Sequence, residues 1–288
     1  MSVVINEVCE SGTSKQKNPG GKKQCLEGAV RTYILAKDDF SFTDKAAAKS
    51  KVAWDTAKEA KNVVVFYDVE ELEPNNTEAQ IKNGRFADYK ISEAKKGVNY
   101  THYLSTCSYE ALKSYENSGY NRVFRVTEKN ELLCEVQEDG TIKGEPLTSF
   151  IVGIRDDAPA DGVPSVKVNL KFDKYSLSIL NPDFDLTGYE GIYDVTLTLV
   201  GTPTATSIKF KATTSCGNSS ILSLLLADIK VRNAAGVAQT VTLVPPDADG
   251  VYEAVGTGFA TDYTLDLDGV VMKTEIAYES EEPLTITV

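Results

Sequence analysis

The feature that most constrains the fold is a series of short strand-like segments that runs from about Glu190 to the end of the chain. β-Branched and aromatic residues recur in each segment, turn residues separate the segments, and no convincing helical pattern interrupts them. Asp-Gly, a strong hairpin signal, occurs here at 249–250 and 268–269, and earlier at 139–140 and 161–162. The candidate strands are IYDVTLTLV, TSIKFKAT, LADIKVRN, QTVTLVP, GVYEAV, TDYTLDL, VVMKTEIAY and PLTITV.

Residues 190–288 are therefore predicted to form an immunoglobulin-like β-sandwich, because seven or eight short strands in roughly 100 residues are typical of that fold. The prediction rests on periodicity, since the Cys-Trp-Cys core of antibody domains is absent. Cys216 is the single cysteine in this region, and Trp54 lies in the other part of the chain. The preceding stretch SLSILNPDFDLTGYEG (176–191) lacks periodicity and contains Pro182 and two glycines, which indicates a domain boundary.

The rest of the chain is predicted to form a second β-rich domain over residues 29–186, preceded by a flexible basic arm at 1–28. We expect this domain to be a sandwich or barrel with one or two helices, so the fold class is mainly β. Its strand-like segments are AVRTYILA (29–36), NVVVFYDV (62–69), VNYTHYLSTC (98–107), NRVFRV (121–126), ELLCEV (131–136), LTSFIVGI (147–154) and PSVKVNLKF (164–172).

Two helices are expected in this domain. The stretch KAAAKSKVAWDTAKEAK predicts one helix near 45–61, because it is rich in alanine and Asp44 is a suitable N-cap. The stretch SYEALKSYENSG predicts a second near 108–118, with Ser108 as N-cap and Gly119 just beyond its C-terminus.

Charge is distributed unevenly along the chain. The formal net charge is −12, which disfavours a protein that coats nucleic acid but allows a surface past which nucleic acid slides. Five acids and no base lie between Asn62 and Ile81, whereas the arm and the first helix are basic. Oppositely charged patches suit head-to-tail contacts between identical subunits, although solvated charge on a monomer is the alternative. The predicted basic residues are Lys15, Lys17, Lys22 and Lys23 in the arm, and Lys45, Lys49, Lys51, Lys58 and Lys61 in the helix.

The loop CESGTSKQKNPGGKKQC (9–25) has no recognisable ligand-binding frame. The cysteines lack the paired spacing of a zinc site, and the glycines lack the spacing of a phosphate-binding loop. Pairing of Cys9 with Cys25 stays open, while five cysteines without regular spacing favour reduced thiols. DADG (247–250) and DLDG (266–269) fit hairpin turns better than calcium loops, because neither has Glu at the twelfth position.

The sequence contains no catalytic signature. His102 is the single histidine, and neither a GxSxG elbow nor an HExxH pair is present. Glu70 and Glu71 are adjacent on an expected strand, so their side chains point to opposite faces and cannot share a site. We therefore expect no enzyme, no cofactor and no metal. No secretory signal or membrane-length apolar segment stands out either, which predicts synthesis in a cytoplasm.

The order of elements resembles one family of viral proteins. A flexible arm precedes a β-rich domain with a short helix between strands (VNYTHYLSTCSYEALKSYENSGYNRVFRV), then a hairpin around EVQEDGTIKGE and an appended immunoglobulin-like module. This order is similar to that of the tail-tube (major tail) proteins of long-tailed bacteriophages. The stretch DFDLTGYEGIYDVTLTLV also resembles virion proteins of Bacteroidetes phages.

The resemblance implies a structural virion protein that forms hexameric rings, which stack into a tail tube for DNA passage. Arms and long loops would bind neighbouring rings, and the extra domain would lie outside. The partners would be further copies of the chain, other tail proteins and passing DNA without specific binding, and no membrane. An acidic lumen would keep phosphates from binding. The acids expected at the lumen or at a partner face are Glu70, Glu71, Glu73, Glu135, Glu138 and Asp139.

Two other functions remain open. A capsid decoration or head–tail joining protein would use the same outward sandwich without polymerising into a tube. A surface or carbohydrate-binding protein would instead expose Tyr252, Phe259 and Tyr263 on one sugar-binding face.

Overall fold

The computed structural model describes residues 8–10, 27–83, 85–158, 160, 162–173, 178–273 and 276–287. The chain divides into two compact units, Met1–Tyr189 and Glu190–Val288. Across the described residues the structure has 22 strands and three α-helices, so the predicted mainly β fold is confirmed. None of these helices has the length and apolar character needed to cross a bilayer.

The first unit contains thirteen strands and the three helices. Its helices are α1 (Lys45–Lys49), α2 (Lys51–Glu59) and α3 (Thr106–Lys113). Its strands are β1 (Val8–Glu10), β2 (Val30–Ala36), β3 (Val63–Val65), β4 (Glu71–Pro74), β5 (Gln80–Asn83), β6 (Asp88–Ser92), β7 (Gly97–Tyr103), β8 (Arg122–Thr127), β9 (Leu132–Val136), β10 (Ile142–Lys143), β11 (Glu145–Val152), β12 (Ser165–Phe172) and β13 (Ser178–Leu180).

Strand β11 joins two antiparallel sheets in this unit. Its first residues, Glu145 and Pro146, pair with β8, whereas its later residues pair with β12 after a register shift between Leu147 and Ser149. The first sheet has the order β3-β2-β8-β9-β13-β1, with β10 added to β9. The second sheet has the order β11-β12-β7-β4.

The first sheet is covered on both faces, which gives the unit three layers. Along β2, Tyr33 and Leu35 face the second sheet and share a core with Val168 of β12. Ile34 faces the opposite way and shares a core with Trp54 of α2. All three β2 side chains are completely buried, as expected for a strand between two layers.

The helices differ from the predicted ones at their boundaries. The first is broken at Ser50, whose extended backbone (ψ 124°) separates α1 from α2. This break lets the Trp54 indole N–H donate to the Ala48 carbonyl at 2.8 Å. Asp44 is the N-cap as predicted, accepting from the Ala47 N–H at 2.8 Å. The N-cap of α3 is Ser105 instead of Ser108, because the Ser105 hydroxyl accepts from the Ser108 N–H.

The described residues of the second unit form nine strands in two sheets. Its strands are β14 (Ile192–Leu199), β15 (Ser207–Thr214), β16 (Ile229–Arg232), β17 (Thr242–Val244), β18 (Val251–Val255), β19 (Tyr263–Leu267), β20 (Val271–Lys273), β21 (Ile276–Ser280) and β22 (Leu284–Ile286). A 3₁₀ turn, Leu226–Asp228, precedes β16.

The strand order of the second unit matches that of an immunoglobulin sandwich. One sheet contains β17-β18-β15-β14, which corresponds to strands D-E-B-A, and the other contains β16-β19-β22, which corresponds to C-F-G. The hairpin β20–β21 is inserted before the last strand, and β21 pairs in parallel with β14. Buried residues of the two sheets, such as Phe210 and Leu265, share one core. The segment VVMKTEIAY, expected as one strand, therefore contributes two.

Candidate assembly surfaces

A long hairpin continues strands β4 and β7 beyond the second sheet. We call residues 75–83 and 85–96 the β5–β6 hairpin. Beyond the β4–β7 pairing, a bridge joins Thr77 to Lys95, and β5 then pairs with β6. At a strand rise of about 3.3 Å per residue, each leg reaches on the order of 30 Å. No strand was predicted here, although Asn83-Gly84 is a strong hairpin signal in the sequence.

The β5–β6 hairpin exposes large apolar side chains. The exposed fraction is 90% for Phe86 and 62% for each of Ile81, Tyr89 and Ile91. By strand alternation, Tyr89 and Ile91 lie on one face and Ile81 on the other. A two-stranded hairpin is marginally stable in water by itself, and clustered exposed apolar groups mark contact sites. This hairpin therefore presents apolar surface that its own unit leaves uncovered.

The outer face of the second sheet is mainly polar, although Ile151 and Tyr103 lie on it and are 53% and 47% exposed. Its central feature is an amide ladder in which the Asn99 side-chain oxygen accepts from the side-chain amides of Asn75 at 3.0 Å and Asn169 at 2.6 Å. Lys167 and Glu73 form an ion pair at 3.1 Å on neighbouring positions of the same face. Since the inner positions of β7 and β12 are buried, this sheet buries one face and presents outward a face that is mainly polar and hydrogen-bonded.

The second sheet also has two end strands that bind no further strand in the described chain. β4, which ends in Pro74, closes the sheet on one side; the later part of β11 ends it on the other, where the Val152 N–H donates to the Glu116 carboxylate. The start of β4 borders a cleft of about 370 Å³, lined by Ala29, Val30, Arg31, Val69, Glu70, Glu71, Leu72 and Glu128. Unpaired strand edges are templates for pairing with another chain.

The six acids predicted for one acidic face do not share a surface. Glu71 and Glu73 lie on β4, with Glu70 directly before it. Glu135 of the first sheet is 3% exposed and lies 3.3 Å from the Arg122 guanidinium, so its prediction as a lumen acid is wrong.

The other two predicted acids, Glu138 and Asp139, are exposed in the turn between β9 and β10. Hydrogen bonds from the Thr141 hydroxyl and N–H lower the pKa of Asp139 and hold this turn closed. Asp139 thus has a structural task within the turn.

The predicted basic helix face is also partly wrong. Lys58 is 1% exposed, and its ammonium group lies 4.2 Å from the centroid of the Tyr189 ring. Lys51 forms an ion pair with Asp55 at 3.0 Å, while Lys45 and Lys49 are half-buried. Lys61, beyond the helix end, is exposed. The lysines consequently do not form one open basic stripe.

The predicted basic arm lies mostly outside the described residues, including Lys15, Lys17, Lys22 and Lys23. Within it, Val8–Glu10 form β1 and pair with β13, so this part of the arm is a strand. Cys134 is a buried thiol that donates to the Ser178 carbonyl at 3.7 Å, whereas Cys107 and Cys216 each belong to a disulfide. The expectation of reduced thiols is therefore wrong for these two.

His102 has a structural environment. Its Nδ1 lies 2.8 Å from the Asp68 carbonyl and its Nε2 lies 3.2 Å from the Tyr33 hydroxyl, so the neutral ring donates to the first and accepts from the second. Burial lowers the pKa of His102. No group of His, Cys, Asp and Glu side chains in the described ranges is arranged to hold a metal ion.

The predicted sugar-binding face does not form. Tyr252 is completely buried and Phe259 is 3% exposed, while Tyr263 is half-buried. The three aromatic rings therefore belong to the sandwich interior and its margin.

Comparison with known proteins adds no relative. No protein-family model matches the sequence, and no curated protein matches it at a significant level.

Proposed function

We propose that this chain is a structural, non-enzymatic virion protein that assembles into stacked rings and forms a phage tail tube for DNA passage. The observation that carries the proposal is the second sheet, which combines two open edges, a polar outer face and a projecting hairpin. Each of these three features has a separate task in a tube.

The open edges support closure into a ring. Contact between the β4 edge of one copy and the β11 edge of the next is a heterologous interface, because different surfaces meet. Repetition of such a contact closes into a ring when the rotation between copies is a whole fraction of a turn. The sheets would then become a continuous barrel without free edges.

The hairpin supports stacking of rings. If hydrogen bonds between sheets run around the ring, the strands run between its two ends. The β5–β6 hairpin continues β4 and β7 in the strand direction, so it projects from one end of the ring. Its exposed apolar side chains would be covered by the adjacent ring.

The polar outer face supports a lumen that DNA can traverse. Lys167 is paired with Glu73, and the amides of Asn75, Asn99 and Asn169 bond to one another. Groups that are already paired within the sheet hold phosphates weakly, and the overall net charge of −12 opposes DNA binding as well. In this arrangement DNA would stay mobile mainly because the lysine is already paired, and less because acids are concentrated at the surface.

Electron microscopy of the purified full chain over a range of concentrations tests the proposal. We expect rings or tubes whose number rises with protein concentration. As a matched pair of variants, Thr148→Pro on β11 should prevent edge pairing, whereas Ala234→Pro should not, because Ala234 is exposed at the second position of a turn in the second unit, where proline is favoured. Only monomers at every concentration would contradict the proposed function and would favour a decoration protein.

A further inference from the structure

One end of the second unit carries a cluster of exposed leucines. We call Leu222, Leu225 and Leu226 the leucine tip; their exposed fractions are 57%, 64% and 47%. They lie in the connection between β15 and β16, which corresponds to the B–C loop of an immunoglobulin sandwich. Loops at the end of such a sandwich are frequent binding surfaces.

The leucine tip is held in place by buried neighbours. Ile221 and Leu224 are each 4% exposed and anchor the segment in the core. The buried Tyr252 hydroxyl accepts from the Leu224 N–H at 3.1 Å and donates to the Ile221 carbonyl at 2.9 Å. The tip is therefore a fixed apolar projection whose ordering requires no binding partner.

The surroundings of the leucine tip are acidic. Leu222 packs beside Gly250, which brings the turn containing Asp247 and Asp249 next to the tip. Both aspartates are exposed, and neither forms an ion pair within the described part of the chain. Residues 190–288 contain 13 acids and five bases, so the net charge of the whole unit is also negative.

The β5–β6 hairpin has complementary properties. Residues 75–96 contain five bases and three acids. Near its turn, the Arg85 guanidinium lies 5.3 Å from the centroid of the Phe86 ring, so a cation and an exposed aromatic ring are presented together. An apolar, basic projection fits an apolar surface bordered by aspartates.

We propose that the turn of the β5–β6 hairpin in one copy docks on the leucine tip in the second unit of another copy. Phe86 would pack against the leucines, and Arg85 would pair with Asp249. The inference rests on the proposed function, since it names the partner surface of the hairpin between stacked copies. It gives the immunoglobulin-like unit a role in stacking.

Photocrosslinking in the full chain tests this contact without adding cysteines. Phe86→benzoylphenylalanine chains are mixed with ¹⁵N-labelled chains under assembly conditions, irradiated and digested. We expect crosslinks from residue 86 to residues 221–226 of the labelled copy. Ile154→benzoylphenylalanine is the matched control, because Ile154 is 86% exposed but lies outside both surfaces.

The outcomes separate this contact from the proposed function. If tubes form but residue 86 crosslinks to the first unit of a neighbour, to its own copy or to nothing, the proposed contact is wrong. The proposed tube function would then still stand. Absence of rings and tubes from the unmodified protein would overturn both.

Charge reversal provides a second readout. Arg85→Glu should raise the concentration needed for assembly roughly tenfold, and Asp249→Lys in the same chain should restore it. Lys209→Glu changes net charge equally on an exposed strand position and should leave that concentration unchanged. Assembly that responds to Lys209→Glu as strongly as to Arg85→Glu would show a net-charge effect and contradict the pairing.

Discussion

Apolar side chains are buried in the first sheet but exposed in the β5–β6 hairpin. In the first sheet, Tyr33 and Ile34 point to opposite faces and both are completely buried. In the hairpin, Ile81 and Tyr89 also point to opposite faces, yet each is 62% exposed. The difference separates two uses of apolar surface. Burial within the unit stabilises the fold, whereas exposed apolar side chains on a thin projection are what the proposed contact with another copy requires.

The largest effect on stability is expected from Trp54→Ala. Trp54 is completely buried and packs between Phe42 and Phe124, so its removal leaves a cavity. The free energy of unfolding of the first unit should fall by about 4 kcal/mol. Hydrogen exchange measured by mass spectrometry checks this, with peptides from residues 190–288 as an internal control. Equal protection of first-unit peptides in both proteins would contradict the three-layer core.

The next largest effect is expected from Glu145→Gln. Glu145 is completely buried, and its carboxylate accepts from the Arg125 Nε at 2.6 Å. The substitution leaves a buried guanidinium without its countercharge, which should cost roughly 3 kcal/mol. The double variant Arg125→Met, Glu145→Leu removes both charges and should recover most of that loss in urea unfolding. A double variant no more stable than Glu145→Gln would show that packing, not charge, determines the effect.

The contrast between the two regions also explains which features the sequence predicts. The strands of the second unit can be predicted from the sequence, apart from the division of VVMKTEIAY into β20 and β21, because alternating burial and Asp-Gly turns are local properties of each segment. Burial of Lys58 could not be predicted, since its aromatic partner, Tyr189, lies far along the chain. The burial of Glu135 could not be predicted either, because it depends on an ion pair with Arg122 of the adjacent strand.

The hairpin was missed for a different reason. Its apolar residues are distributed over two faces, and a bulge between Gln80 and Ile81 interrupts the alternation. The segment therefore lacks the regular alternation that identifies a strand with one buried face, although Asn83-Gly84 is a turn signal. The contact proposed for the hairpin and the leucine tip depends on exposed apolar residues, which periodicity cannot distinguish from buried ones.

A smaller effect on stability is expected from His102 as the pH falls. Burial holds the pKa of His102 in the folded protein below its ordinary value of 6.5, while hydrogen bonding and charge at Asp68 oppose this shift. Below pH 6.5 the unfolded chain binds a proton that the folded chain does not, so stability falls until the lower folded pKa is reached. Urea unfolding between pH 7 and 5.5 should show this decline. His102→Gln should make the free energy of unfolding less dependent on pH in this range. An equal pH dependence in both proteins would show that other groups cause the decline.

The smallest effect on stability and a large effect on assembly are expected from Phe86→Ser. Phe86 is 90% exposed, so its removal opens no cavity and should change the free energy of unfolding by less than about 0.5 kcal/mol. The same change removes the largest apolar group of the hairpin turn and should raise the concentration at which tubes form. Sedimentation velocity measures assembly, and hydrogen exchange of the same sample measures stability. Val52→Ser is the matched control, because Val52 is 74% exposed on α2, away from the hairpin. Loss of assembly with Val52→Ser but not with Phe86→Ser would contradict the role of the hairpin and place the contact on the helical layer.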